Sequence, residues 1–273
     1  MVIDHSPFTI HHLALIKNTN SFPNRLVMIT DAGPFLILDS VDSTNNYAMA
    51  RLHERTASHG NAYFAREQQR GRGRRGKTWR SQKDKNIMLS IVLNTEFLAV
   101  YQQFHLIIST SLGCLDFFNR YLTNNVKIKW PNDLYWNDRK AGGILIENLI
   151  KGDLWQWAVV GIGLNINQTS FDPDLPNPVS LKQITGETYD ILKTANELYE
   201  DVMTRFDDLK KNKFESLFRS YNRSLYRLAE PIKLKKDNMV FNTRLSGVSK
   251  QGQLITKDVM ERNFDFDEVE WVL

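Results

Sequence analysis

Between Val126 and Asn165 the chain offers a succession of runs with strand character: Val126 to Trp130, Leu134 to Trp136, Ala141 to Asn148 and Trp155 to Asn165, with turn-forming residues between them. They alternate or run apolar, as sheet strands do. Upstream, Pro34 to Val41, Ala62 to Arg66 and Asn86 to Leu93 read as further strands. Residues 99 to 122 form an apolar helix, and Leu192, Ala195, Leu198, Val202, Phe206 and Leu209 recur at helical spacing as core packing. Many strands between few helices imply an α+β fold, a mixed sheet flanked by helices. At 273 residues and 42% hydrophobic content, one large core plus a small appendage is expected. A boundary falls near Tyr226, so the chain divides into an extension over 1–33, a main domain over 34–225 and a small domain over 226–273. In the last, Pro231 to Leu234, Val240 to Val248, Gln253 to Thr256 and Glu268 to Leu273 read as short strands of an all-β barrel. Lys236-Asp237-Asn238, Gln251-Gly252 and Arg262-Asn263 separate them.

The chemistry concentrates between Arg66 and Arg80, R-E-Q-Q-R-G-R-G-R-R-G-K-T-W-R, which holds seven cations and three glycines against one acid. Glycine lets the backbone approach a ligand closely, and arginine supplies planar donor forks that suit phosphate and carboxylate oxygens. The segment is a place to hold an anion, or a flexible basic loop that binds nucleic acid or stays solvated. Flanking strands pin the loop at both ends and leave its middle mobile. Residues 129 to 143 add K-W-P-N-D-L-Y-W-N-D-R-K-A-G-G, where Lys140 stands at the start of the apolar run Ile144, Leu145, Ile146. Its ammonium projects from the mouth of a buried strand, where it can act as a catalytic electrophile or remain a solvated side chain. Asp42-Ser43-Thr44-Asn45 offers side-chain oxygens to cap a helix running to about Ser58, ended by Gly60.

A formal charge of +4, concentrated in one loop, suits a small anionic ligand better than a long basic face for DNA. Cys114 is the only cysteine, so there is no disulfide framework or cysteine-based zinc site, and it reads as a buried small hydrophobe. The adjacent His11-His12 share neither a helix face nor a strand face, which favours solvent over a metal. With no signal-like start and no run of 18 apolar residues, a cytoplasmic protein that does not enter a membrane is expected.

The chain resembles the bacterial biotin protein ligases. The residues that carry the likeness are D-S-T-N at Asp42 to Asn45, Q-Q before the loop, G-R-G-R-R-G at Gly71 to Gly76, K-W-P-N-D at Lys129 to Asp133, D-R-K-A-G-G-I-L at Asp138 to Leu145 and G-I-G-L-N at Gly161 to Asn165. They come in the family's order and near its spacing from about residue 38 onward. The resemblance implies a class II synthetase-like ligase core, an SH3-like C-terminal domain and ATP-dependent activation of biotin to biotinyl-5'-AMP. Transfer to a lysine of a biotin carboxyl carrier protein would follow. Too few residues precede the core for the winged helix-turn-helix that many relatives carry, so a monofunctional ligase that binds no operator DNA is expected.

The resemblance also assigns residues. Lys140, Arg72 and Asp133 would be catalytic, with Arg72 and Lys140 bridging the biotin carboxylate and the α-phosphate, and Asp133 holding Mg²⁺ or accepting a proton from the incoming lysine. Ser43, Thr44, Asn45 and Gln68 would hold the ureido ring, with Gly73 and Arg74 also lining the biotin site. Arg74, Arg75, Trp79, Asn132 and Asn165 would serve ATP, with Trp79 packing against adenine. Arg70 departs from the small residue usual before G-R-G. Two alternatives stand beside this assignment: a lipoate or octanoate ligase, for which an R-R-x-x-G-G-G-like arrangement would be expected, and a nucleic-acid-binding protein using Trp79 and Trp130 as stacking platforms. A monomer and a homodimer through an edge strand would carry the same motifs.

Overall fold

The computed structural model describes residues 35–123 and 126–272. The expected N-terminal extension, His11-His12, Pro34 and Leu273 lie outside the described residues. In chain order the elements are β1 (Phe35–Leu38), α1 (Thr44–His53), β2 (Ala62–Ala65), β3 (Gly71–Arg72), β4 (Thr78–Trp79), β5 (Ile87–Asn94), α2 (Gln103–Asn119), β6 (Val126–Lys129), β7 (Asp133–Trp136), β8 (Arg139–Lys151), β9 (Leu154–Leu164), α3 (Leu181–Thr185), α4 (Ile191–Lys210) and α5 (Phe214–Arg223). The C-terminal strands are β10 (Pro231–Lys236), β11 (Met239–Val248), β12 (Leu254–Lys257), β13 (Glu261–Phe264) and β14 (Glu270–Trp271).

Seven strands form one mixed sheet in the order β1-β2-β5-β9-β8-β7-β6. The pair β1 and β2 is parallel, and the other neighbours are antiparallel. Strand alternation gives the sheet two different faces. Ile87, Leu89, Ile91 and Leu93 of β5, with Ala158, Val160, Ile162 and Leu164 of β9, point into a large core that also takes Leu106, Phe117 and Phe118 of α2 and Leu198, Val202 and Phe206 of α4. The helical stripe expected on α4 is buried except for Leu192, which is partly buried, and Cys114 is fully buried. The intervening residues face the other way, where Ala48 and Leu52 of α1 meet Tyr63, Val92 and Val159 in a second, smaller cluster. On that same face, by strand alternation, stand Ser90, Gly143, Glu147, Gly161 and Gly163.

The five C-terminal strands make an antiparallel sheet in the order β13-β12-β11-β10-β14, consistent with the small barrel-like domain expected. Ile232, Leu234, Leu245, Val248 and Leu254 from it join the large core. Two expectations need correction. Arg262-Asn263 lies in β13, and the turn comes earlier, where Asp258 N–H donates to the Met260 carbonyl. Only Phe264 of that polar edge strand is buried, so no apolar alternation announces it. Helix α1 stops at His53 because Arg55 takes φ 57°, ending the helix well before Gly60.

Candidate active site

The start of α1 supplies one end of the site. Ser43 is its N-cap residue but makes no side-chain cap bond, so the capping expectation fails. The helix's first N–H is taken instead by Gln68, whose Oε1 accepts from Thr44 N at 2.7 Å and lies 3.1 Å from the Thr44 hydroxyl. A parallel bridge between Val41 and Gln68 carries Gln68 there. Asn45 Nδ2 donates to Glu147 Oε2 at 2.8 Å and to the Leu145 carbonyl at 3.3 Å. Ser90 Oγ lies 2.6 Å from Asn45 Oδ1 and 2.7 Å from Thr44 Oγ1. Asn45 can lie this low only because residue 161 is glycine; a Cβ there would stand 2.2 Å from Asn45 Oδ1.

The basic loop begins beside this network. Arg72 Nη1 pairs with Glu147 Oε1 at 2.7 Å and donates to Asn46 Oδ1 at 2.8 Å, and Asn46 Nδ2 in turn donates to Asp42 Oδ2 at 2.6 Å. Gly73 N–H donates to the Lys77 carbonyl, closing the β3–β4 ribbon, and Trp79 then lies over the sheet. A Cβ at Gly163 would stand 2.6 Å from Trp79 Cε2. The buried Trp79 indole N–H has no hydrogen-bond partner. Arg70 donates its backbone N–H to the Asp42 carbonyl, and its side chain is exposed.

Lys140 and Asp133 form the other end, with Lys140 Nζ donating to Asp133 Oδ1 at 2.7 Å. Both stand next to Gly143, the partner of Asp133 across β7 and β8. Beside them, burial pulls Lys129 down to about 8, a shift that Asp133 opposes and Lys140 adds to. The Lys129 ammonium lies 4.9 Å from the Tyr135 ring centre and 5.4 Å from that of Trp271. Asn132 Nδ2 donates to the Ile144 carbonyl at 2.5 Å, and Asn165 Nδ2 lies within reach of the Val179 and Lys140 carbonyls. Both Asn165 amide N–H groups and one of Asn132 are thus spent on backbone.

Arg74 and Arg75 turn away from the sheet. Arg75, at φ 55°, donates to Asp267 at 2.6 Å and Glu270 at 3.2 Å; Arg74 donates to Asp267 at 3.0 Å and lies 5.5 Å from the Phe266 ring centre. A 3.4 Å contact from Arg74 to Asn132 Oδ1 links the pair back toward the main sheet. Trp130 cannot be the stacking platform that a nucleic-acid-binding protein would need: it is buried, stacked on Phe266, and donates its indole N–H to the Gly252 carbonyl. Ser90, Asn46, Glu147, Lys129 and Asp267 are the residues that sequence reasoning missed. A lone acid and a lone hydroxyl inside the apolar strands I-L-I-E and M-L-S-I were the signal for Glu147 and Ser90. Asp267 gave none.

Residues 37–165, which contain every one of these groups except the C-terminal partners, match the Biotin/lipoate A/B protein ligase family. The bifunctional ligase/repressor BirA of Salmonella typhimurium is 36% identical over 148 residues, covering 54% of this chain. The chain spans under half, 45%, of that relative's length. The biotin–(acetyl-CoA-carboxylase) ligase of Paracoccus denitrificans is 29% identical over 81% of this chain and 93% of its own. The fold is similar to the Aquifex aeolicus biotin protein ligase solved with biotin and ATP, with a TM-score of 0.74 and 25% identity over 87% of this chain and 98% of that one. The matched segment thus contributes both ends of the site, and Asp267, Phe266 and Glu270 come from outside it. Among the described residues no helix is long and apolar enough to cross a membrane.

Proposed function

We propose that this protein activates biotin with ATP to biotinyl-5'-AMP, releasing pyrophosphate, and transfers the biotinyl group to a lysine of a biotin carboxyl carrier protein. The observation that carries this reading is the spacing of the two polar ends on one glycine floor. From Gly143, under Lys140 and Asp133, to Glu147, at the Asn45 network, is four residues along β8, or about 13 Å. A ligand with a hydrogen-bonding ring at one end and a carboxylate at the other fits that floor. The ring end is built from amides, hydroxyls and a carboxylate, which suits a cyclic urea and would be wasted on the dithiolane of lipoate.

Lys140 stands where the ligand's carboxylate and the α-phosphate would meet. A fixed cation there lowers the repulsion between two anions as the carboxylate oxygen attacks phosphorus and pyrophosphate leaves. Arg72, Arg74 and Arg75 are further cations, carried by the basic loop and not by the strand of Lys140. Trp79 would cover the nucleotide base, and Asn132 and Asn165 would shape the nucleotide side by holding its backbone walls. In the second step the acceptor lysine's amine attacks the carbonyl carbon of the mixed anhydride and AMP leaves, with Asp133 placed to take the amine's proton. Among the described residues no group of three or more His, Cys, Asp or Glu could hold a metal. Mg²⁺, which usually takes one or two carboxylates together with substrate phosphates, would therefore have Asp133 as its protein ligand and would supply charge neutralisation. The β3–β4 ribbon over the floor would shield the anhydride from water. Calorimetric titration with biotin, lipoate and an oligonucleotide, then with biotin plus ATP, tests the reading; it requires tight binding of biotin alone among the first three.

A further inference from the structure

Resting on that reading, we infer that Glu147 is a positioning residue for recognition of the ring, setting the direction of the hydrogen bonds that run through Asn45 to Ser90 at that end of the site. The inference starts from what each group can do. A carboxylate and a backbone carbonyl only accept, so Asn45, which meets Glu147 Oε2 at 2.8 Å and the Leu145 carbonyl at 3.3 Å, must turn its amino group to both. Its carbonyl Oδ1 then faces Ser90 Oγ at 2.6 Å and claims the single Ser90 proton. With that proton committed, the Ser90 oxygen is left with lone pairs only. From the other side, Thr44 N–H can only donate, so Gln68 turns Oε1 to it at 2.7 Å and leaves Nε2 as an outward donor.

The ring end is thereby polarised. Gln68 Nε2 offers donors, while the Ser90 and Thr44 oxygens can accept. A cyclic urea needs that pattern, one carbonyl to receive donors and N–H groups to find acceptors. Glu147 also ties the start of the basic loop to the same point through its 2.7 Å pair with Arg72. Ser90 and Asn45 are buried, so no water is at hand to compensate if their orientation is lost.

Glu147→Gln keeps size and shape but can donate where the carboxylate could only accept. Asn45 is then held only by its longer, 3.3 Å contact to the Leu145 carbonyl and can reverse, and Ser90 can present its proton, a donor, where the ligand's N–H needs an acceptor. The test is a double-mutant cycle on biotin affinity, by calorimetry without nucleotide, using Glu147→Gln, Ser90→Ala and the pair, with steady-state kinetics on the single variants. Glu147→Gln is expected to weaken biotin binding about tenfold. It should raise KM for biotin by a similar factor while leaving kcat and KM for ATP near the parent's. Because Glu147 acts through Ser90, adding Glu147→Gln to Ser90→Ala should cost less than threefold more. Glu147→Asp, which stays acceptor-only, should bind within about threefold of the parent, and it serves as the second variant if the glutamine form does not fold. Parent-like affinity in the glutamine variant, or full additivity with Ser90→Ala, overturns the inference. Failure of the parent itself to bind biotin overturns the proposed function instead.

Discussion

The two ends of the glycine floor are built in opposite ways. At the ring end, Thr44, Asn45 and Ser90 are 4%, 3% and 0% exposed, and their bonds run to one another, to Gln68 and to Glu147. At the loop end, Arg74 and Arg75 are about one-third exposed and bind Asp267 and Glu270, carboxylates that are 51% and 64% exposed. A buried network holds its geometry because each broken bond strands a polar group away from water. Exposed ion pairs contribute at most about 1 kcal/mol each. The ring end is thus fixed before ligand arrives, while the arginines can leave Asp267 for a nucleotide's phosphates at small cost. In the proposed function, discrimination belongs to the first region and closure to the second.

The largest effect should come where neither region can compensate. Lys140→Ala leaves Asp133 without its cation and, in the proposed function, removes the charge between the two reacting anions, so biotin-dependent exchange of pyrophosphate into ATP should fall at least about a hundredfold. The melting temperature should stay near the parent's, because Lys140 is half-buried at a strand mouth and packs little. Exchange near the parent level would remove Lys140 from the chemistry.

Gly161→Ala attacks the rigid region directly. The new Cβ would stand 2.2 Å from Asn45 Oδ1, and Asn45 is locked by Ser90, Glu147 and the Leu145 carbonyl. Biotin affinity should drop by about fiftyfold or more, a loss of over 2 kcal/mol. A small change would mean that the ring end is softer than its buried bonds imply.

Arg74→Gly attacks the mobile function of the loop. Adenylate should still form but escape about thirtyfold faster, corresponding to roughly 2 kcal/mol for one charge-assisted contact. Bystander proteins incubated with the variant, biotin and ATP should then be labelled on a streptavidin blot; labelling equal to the parent's, with synthesis intact, argues against closure by Arg74. The smallest effect is expected from Asp267→Asn combined with Glu270→Gln. Freed of exposed carboxylates, the arginines should bind ATP a few-fold tighter at low salt, and the gain should shrink as salt rises. Weaker ATP binding would show that the C-terminal acids help assemble the site.

The same contrast explains what the sequence reveals. The sheet strands and the long helix α4 are legible because periods of 2 and 3.6 separate buried from exposed positions, and the glycines of G-R-G, A-G-G and G-I-G mark where backbones approach. Ser90 and Glu147 were harder: each is one polar residue in an apolar strand, and its meaning depends on which face it shares with Gly143 and Gly161. Helix α1 shows how a local rule can be overridden. Ser43 and Thr44 look like caps, yet Gln68, 24 residues from Thr44 in sequence, takes the bond. The docking of Arg75 on Asp267 spans 192 residues and depends on how the C-terminal sheet sits against Trp130, which no local pattern encodes.

Exchange of labelled pyrophosphate into ATP, run on the purified protein with biotin, with lipoate and with neither, measures the proposed first half-reaction itself. Exchange that appears with biotin and stays at background in the other two arms is the expected result. Exchange that lipoate supports as well as biotin, or that no ligand supports although biotin binds, would contradict the account of Lys140, the glycine floor and the polarised ring end together.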